Sequence, residues 1–184
     1  MKKIVLLILC ITTILYLKEP ESTYETLSAE DLNYQRFVSE LSTQTEIILL
    51  EEVGTSSIAY SYNPKIKFLS LSSIDINVRY KAIITIPTNK LKFKNEDGKV
   101  VVVYNTEDFK VKSIEITDKQ IQRDKQLLGH NFTDEELVTL ELSLTNNIRN
   151  DIMNDTDTLQ QAEDSLVDYL LDISNKFDVT VKIN

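Results

Sequence analysis

A chain of 184 residues, 42% hydrophobic and 27% charged, is large enough for one domain with a sizeable core, and its three glycines and three prolines exclude collagen-like or long low-complexity segments. A formal net charge of −9 argues against nucleic-acid binding. The single cysteine, Cys10, excludes an intramolecular disulfide and a cysteine-based metal site.

The first element is an apolar run. Lys2 and Lys3 precede fourteen uncharged residues, Ile4 to Leu17, which end at Lys18, Glu19 and Pro20. A basic start before an apolar stretch is the pattern of a signal peptide or a signal anchor. No small-x-small cleavage pattern follows the run, and Leu9 before Cys10 does not suit lipoprotein processing. Fourteen helical residues span about 21 Å against a hydrocarbon core of ~30 Å. Lys3 and Lys18 can snorkel and Tyr16 suits the interface, so residues 1–20 are expected to remain as a signal anchor, with residues 4–17 in the membrane. The leading lysines put the N-terminus in the cytoplasm, which makes the chain a single-pass cell-membrane protein with its bulk outside.

Residues 21–42 read as a linker and a short membrane-proximal helix. Ser28 with Asp31 suits a helix start, Leu27 and Leu32 suit a hydrophobic staple, and Leu32, Val38 and Leu41 share a face. From residue 43 to 184 the pattern is that of an α+β domain. "TEIILLEEV" and "IAYSY" read as strands separated by a turn at Gly54, and "IKFLSL" follows a turn at Asn63-Pro64. In "SIDINVRYKAIITI" the apolar residues alternate without a break from Ile74 to Ile86, so this strand has one buried face. "LKFK" and "KVVVVYN" flank Asp97-Gly98 as a hairpin. In "FKVKSIEI" the parity slips between Val111 and Ile114, which predicts a bulge near Ser113. Thr117 to Gly129 reads as a brief capped helix.

Two longer helices follow. Thr133 with Glu136 forms a capping box, and Leu137, Leu140, Leu144, Ile148 and Ile152 fall on one stripe. After "NDTD", a second stripe comprises Leu159, Ala162, Leu166, Tyr169, Leu170, Ile173 and Phe177. "DVTVKI" closes the chain as a strand. This order predicts an α+β fold in which an N-terminal anchor helix precedes a mostly antiparallel sheet, two amphipathic C-terminal helices and a closing strand.

Charge is segregated along the chain. Residues 18–64 hold nine acids against two bases, residues 65–132 thirteen bases against eight acids, and residues 133–184 twelve acids against three bases. The basic middle is expected to dock on its acidic flanks, or else to present a patch for anionic lipid or a cell-wall polymer.

No chemical signature stands out. The only histidine, His130, lies beside Gly129, with no partner serine or cysteine for nucleophilic catalysis. The three glycines build neither a Walker loop nor a dinucleotide fingerprint. Asp151, Asp155 and Asp157 cluster between the helices, but the sixth and twelfth positions counted from Asp151 are Thr156 and Ala162, which does not fit a calcium loop, so helix capping is expected. Asp164, Asp168 and Asp172 recur every four residues, the spacing of a solvated helix face or of a stripe that meets the basic middle. Asn131-Phe-Thr133 and Asn154-Asp-Thr156 match the glycosylation pattern.

Four stretches, "LSTQTEIILLEEV", "YKAIITIPTNKLKF", "DGKVVVVYNTEDFKVKSIEI" and "AEDSLVDYLLDISNKFDVTVKIN", carry a resemblance over residues 40–184. In them the chain resembles a bacterial family of membrane-anchored proteins known as domain-of-unknown-function family four-two-three-zero. The resemblance implies an anchor, an extracytoplasmic α+β domain and no assigned catalytic residue. The expectation is a non-catalytic anchored protein that binds a protein or envelope component, with no cofactor. The alternatives are an envelope hydrolase using carboxylates near Asp151–Asp157 and a structural or assembly subunit.

Overall fold

The computed structural model describes residues 28–62, 72–96, 99–125 and 131–183. The expected anchor, the "IKFLSL" strand, the Asp97-Gly98 turn and His130 lie outside the described residues. Among the described residues, no helix is long and apolar enough to cross a membrane.

The elements in chain order are α1 (Ala29–Ser42), β1 (Glu46–Tyr62), β2 (Ser72–Pro87), β3 (Lys92–Glu96), β4 (Lys99–Val103), β5 (Lys110–Lys125), α2 (Asp134–Asn154), α3 (Thr156–Lys176) and β6 (Thr180–Ile183). The architecture is α+β, with its strands in two sheets. In the larger sheet β2 is central and pairs antiparallel with β1 and β5. In the smaller, β4 pairs antiparallel with β3 and parallel with β6. A parallel pair needs a long crossover, and the helical region between β4 and β6 supplies it.

The alternation in β2 fixes the core. Ile74, Ile76, Val78, Tyr80, Ala82, Ile84 and Ile86 are all buried, and α2 and α3 pack against the larger sheet. The helices bury the expected stripes: Leu144, Ile148 and Ile152 on α2, and Ala162, Leu166, Leu170 and Ile173 on α3. Each fully buried aliphatic side chain contributes roughly 1.5–3 kcal/mol. α3 also contacts β6, so one helix bridges the two sheets. Both capping boxes form: the Ser28 hydroxyl accepts from the Asp31 N–H at 3.1 Å, and the Thr133 hydroxyl from the Glu136 N–H at 3.3 Å.

Four expectations need correction. β1 is one unbroken strand through Gly54, because Gly54 pairs with Tyr80 and lies under its ring. An isolated strand glycine here marks a close approach rather than a turn. The segment from Thr117 to Lys125 continues β5 instead of forming a helix. The predicted bulge is present, since β2 residues Ile83 and Ile84 pair with Ser113 and Val111, leaving Lys112 as the extra residue. A second bulge leaves Thr117 unpaired between Ile116 and Asp118, which shifts the phase of Ile121 and breaks the strand alternation just where a helix was predicted. The strands form two sheets instead of one, and the closing strand joins the smaller. Finally, α1 buries Phe37 and Leu41, while Leu32 is exposed. Phe37 meets Phe93 of β3 edge to face at 6.1 Å, so α1 is part of the core.

Candidate functional site

The larger sheet has one face under the helices and one open face. Cross-strand register puts two polar rows side by side on the open face: Thr55, Arg79 and Asp118, and Ser57, Asn77 and Gln120. These six exposed side chains line a shallow trough of ≈ 280 Å³. The Thr117 bulge creates this arrangement. Side chains alternate faces, so if this sequence ran as a regular strand through Thr117, Thr117 would oppose Arg79, and Asp118 would fall opposite Val78 and point under the helices. With it, Asp118 faces out and Lys119 faces α2, where it pairs with Glu141 at 2.7 Å. The Thr117 hydroxyl donates to the Arg79 carbonyl at 3.3 Å and fixes the bulge.

Beside it, between β5 and α2, runs an apolar groove of ≈ 540 Å³ lined by Ile116, Val138, Leu142 and Leu144. Ile116 is 39% exposed, Val138 56% and Leu142 62%, which leaves more apolar surface open here than along the rest of α2.

The smaller sheet is divided by charge. Phe93, Val100, Val102, Val181 and Ile183 face the core. The other face carries Lys92, Lys94, Lys99 and Lys182, all exposed, with Glu96 as its acid. Val101, flanked in register by Lys94 and Lys182, is only 2% exposed. Lysine stems cover apolar surface while their ammonium groups stay in water. Among the described residues these four lysines form no ion pair.

The rest of the basic middle docks largely as expected. Lys81–Glu51 at 2.7 Å and Lys112–Glu46 tie it to the N-terminal acidic segment, and Lys119–Glu141 ties it to α2. The Lys112 ammonium and the Thr85 hydroxyl hold the Glu46 carboxyl below its usual range.

The carboxylates singled out in the sequence fall into separate roles. Asp155 caps α3, accepting from the Thr158 hydroxyl at 2.6 Å and the Asp157 N–H at 3.2 Å. Those bonds lower its pKa, the opposite of what a carboxylic acid donor requires. Asp151 and Asp157 are exposed. Asp164 accepts from Gln160 at 3.0 Å and Asp172 from Lys176 at 3.2 Å, both within α3, and Asp168 is exposed on the same helix. No group of three or more His, Cys, Asp or Glu among the described residues is arranged to hold a metal. The tyrosine on the buried face is one residue that sequence reasoning missed. Burial, then the charges of Glu52, Asp151 and Asp155, push the Tyr80 hydroxyl up from its ordinary value. Its signal was the lone glycine opposite. The polar rows were visible only as outward positions of β2, since their β5 members depend on the bulge.

Compared with known proteins, the chain matches no family model, no curated protein and no solved structure.

Proposed function

We propose that this is a membrane-anchored extracytoplasmic binding domain, non-catalytic, whose partner is an anionic polymer of the envelope. The observation that carries it is the face of Lys92, Lys94, Lys99 and Lys182, exposed and forming no ion pair among the described residues, with Glu96, opposite Lys99, as its acid. A chain with a net charge of −9 repels polyanions at long range. Within about a Debye length of ~8 Å, however, a local lysine cluster dominates what a polymer senses. The apolar run at residues 4–17 with Lys2 and Lys3 before it supports the anchor, and the family resemblance implies the same topology.

The test uses the full chain reconstituted in zwitterionic vesicles, with a soluble glycerol-phosphate polymer as probe. Binding that weakens steeply with salt and drops about tenfold in a Lys94→Gln/Lys182→Gln variant is the expected result. Equal binding by that variant, or none by the parent, overturns the reading. Carbonate-washed membranes and an intact mass test the anchor separately, because a soluble chain lacking its first twenty or so residues would rule it out.

The apolar groove favours a second reading, an assembly subunit that buries Ile116, Val138 and Leu142 against another copy. Sedimentation of the parent and of Leu142→Glu distinguishes it, since only an assembly through this groove changes mass on that substitution.

A further inference from the structure

We infer that the trough on the open face of the larger sheet binds a carboxylate-bearing sugar. The inference adds a second contact to the envelope-facing reading and names its ligand class.

Arg79 offers a planar fork of donors, the geometry that matches a carboxylate. Asp118 is its neighbour across the strand pair, yet the two form no ion pair among the described residues, so both keep their hydrogen-bonding capacity. Asn77 and Gln120 each carry an amide donor and acceptor, and Thr55 and Ser57 add hydroxyls. Neighbours within a row are one strand spacing apart, about 4.8 Å, and the rows lie two residues apart along the strands, about 6.6 Å, so the six groups frame an area close to that of one sugar ring.

The ligand class follows from what the trough holds and omits. Its only apolar member is Val78, whose side chain points into the core, so apolar peptide side chains find nothing to bury against. No aromatic ring lines it, so a neutral sugar lacks the stacking platform that would orient it. A sugar acid meets every group present: its carboxylate on Arg79, its hydroxyls on Asp118, Thr55 and Ser57, and an N-acetyl amide on Asn77 or Gln120. The bulge at Thr117 supports this assignment. Bulges recur next to binding and active sites, where they re-aim a side chain, and this one brings Asp118 and Gln120 beside Arg79 and Asn77.

The experiment is an amide-shift titration of the full chain in detergent micelles. The probes are N-acetylmuramic acid, N-acetylglucosamine, which lacks the lactyl carboxylate, and lactate, which lacks the sugar. The expected result is saturable shifts at residues 55–57, 77–79 and 118–120 with N-acetylmuramic acid, and affinity at least about tenfold weaker for the other two. Arg79→Gln, at an exposed position, leaves the remaining spectrum unchanged and removes the preference for the acid. Equal response to N-acetylglucosamine overturns the carboxylate, equal response to lactate overturns the sugar, and shifts confined to other surfaces, or none, overturn the site. The sugar titration and the glycerol-phosphate test use different surfaces, so either can fail without the other.

Discussion

Tyr80 lies across Gly54 on the neighbouring strand, so closely that a Cβ on Gly54 would stand 2.5 Å from the tyrosine hydroxyl oxygen and 2.6 Å from the ring carbon that bears it. The two are direct cross-strand partners on the helix-covered face. The glycine lets a large ring lie flat in the middle of a 17-residue strand. Gly54→Ala is expected to destabilise the domain by about 1–3 kcal/mol, the range for forcing an extra group into a filled core. Combined with Tyr80→Ala the two effects should fall short of additive, because the clash disappears with the ring. Denaturant unfolding of the four proteins measures the cycle, and full additivity would mean that the ring does not depend on the glycine.

Tyr80 and Tyr104 should set the alkaline limit of stability. Burial, then neighbouring carboxylates, raise Tyr80. Burial, then its hydrogen bond to Glu163 at 2.7 Å, raise Tyr104 well above its ordinary value. For an acid with a raised folded pKa, the neutral form is favoured by folding. Its contribution is therefore fully present below the unfolded tyrosine pKa of about 10 and is lost as pH rises through the folded value. Absorbance titration of the eight tyrosines should show these two ionising late, and Tyr104→Phe should flatten the fall in stability above that pH. An unchanged alkaline slope in Tyr104→Phe would count against the assignment.

The acid side has the opposite sign. Glu46 is held below its usual range first by its hydrogen bond from Lys112. A depressed carboxyl contributes stability above its unfolded pKa and loses it as pH falls through the folded value. Glu46→Gln should therefore lower the melting temperature at neutral pH and narrow the gap to the parent below about pH 4. Melting curves across that range measure it, and a gap constant with pH would show that the pair with Lys112 does not matter.

How much of this was legible in the sequence depends on whether a residue's role was local. The capping boxes at Ser28 and Thr133 and the stripes of α2 and α3 were readable, because each depends on residues within a few turns of one another. The β2 alternation was readable because a strand with one buried face writes its period directly. Gly54 was misread because its reason, Tyr80, lies on another strand. Thr117 was misread because one extra residue moves Ile121 out of phase with Ile114 and Ile116, and a polar stretch with a displaced isoleucine resembles a helix. The candidate trough was hidden for the same reason, since Asp118 and Gln120 reach the row of Arg79 and Asn77 only through that bulge. The lysine face needed the β4–β6 pairing, which joins Lys182 to lysines about ninety positions earlier.

The placement of α1 in the core carries its own prediction. Phe37 is fully buried and meets Phe93 edge to face. Phe37→Ala should cost about 3–5 kcal/mol, the range for removing a buried aromatic ring. A helix serving only as a spacer between membrane and domain would lose almost nothing, so chemical denaturation of this variant decides between the two.

The Thr117 bulge offers the sharpest test of the larger sheet. Deleting Thr117 removes the one residue between Ile116 and Asp118 that has no partner in the ladder, so the pairs Tyr80–Ile116 and Arg79–Asp118 join into a regular ladder. Side chains alternate, so Asp118 still faces the open side beside Arg79, while Lys119 and Ile121 still face the helices, Lys119 against Glu141. The deletion removes only the local bend of the bulge and the Thr117 bond to the Arg79 carbonyl. Hydrogen exchange should therefore show protection of residues 118–125 kept or raised in the deletion variant, with β1 and β2 protected as in the parent. Protection lost across residues 118–125 would mean that the far half of β5 depends on the bulge itself and not on the pairing on either side of it.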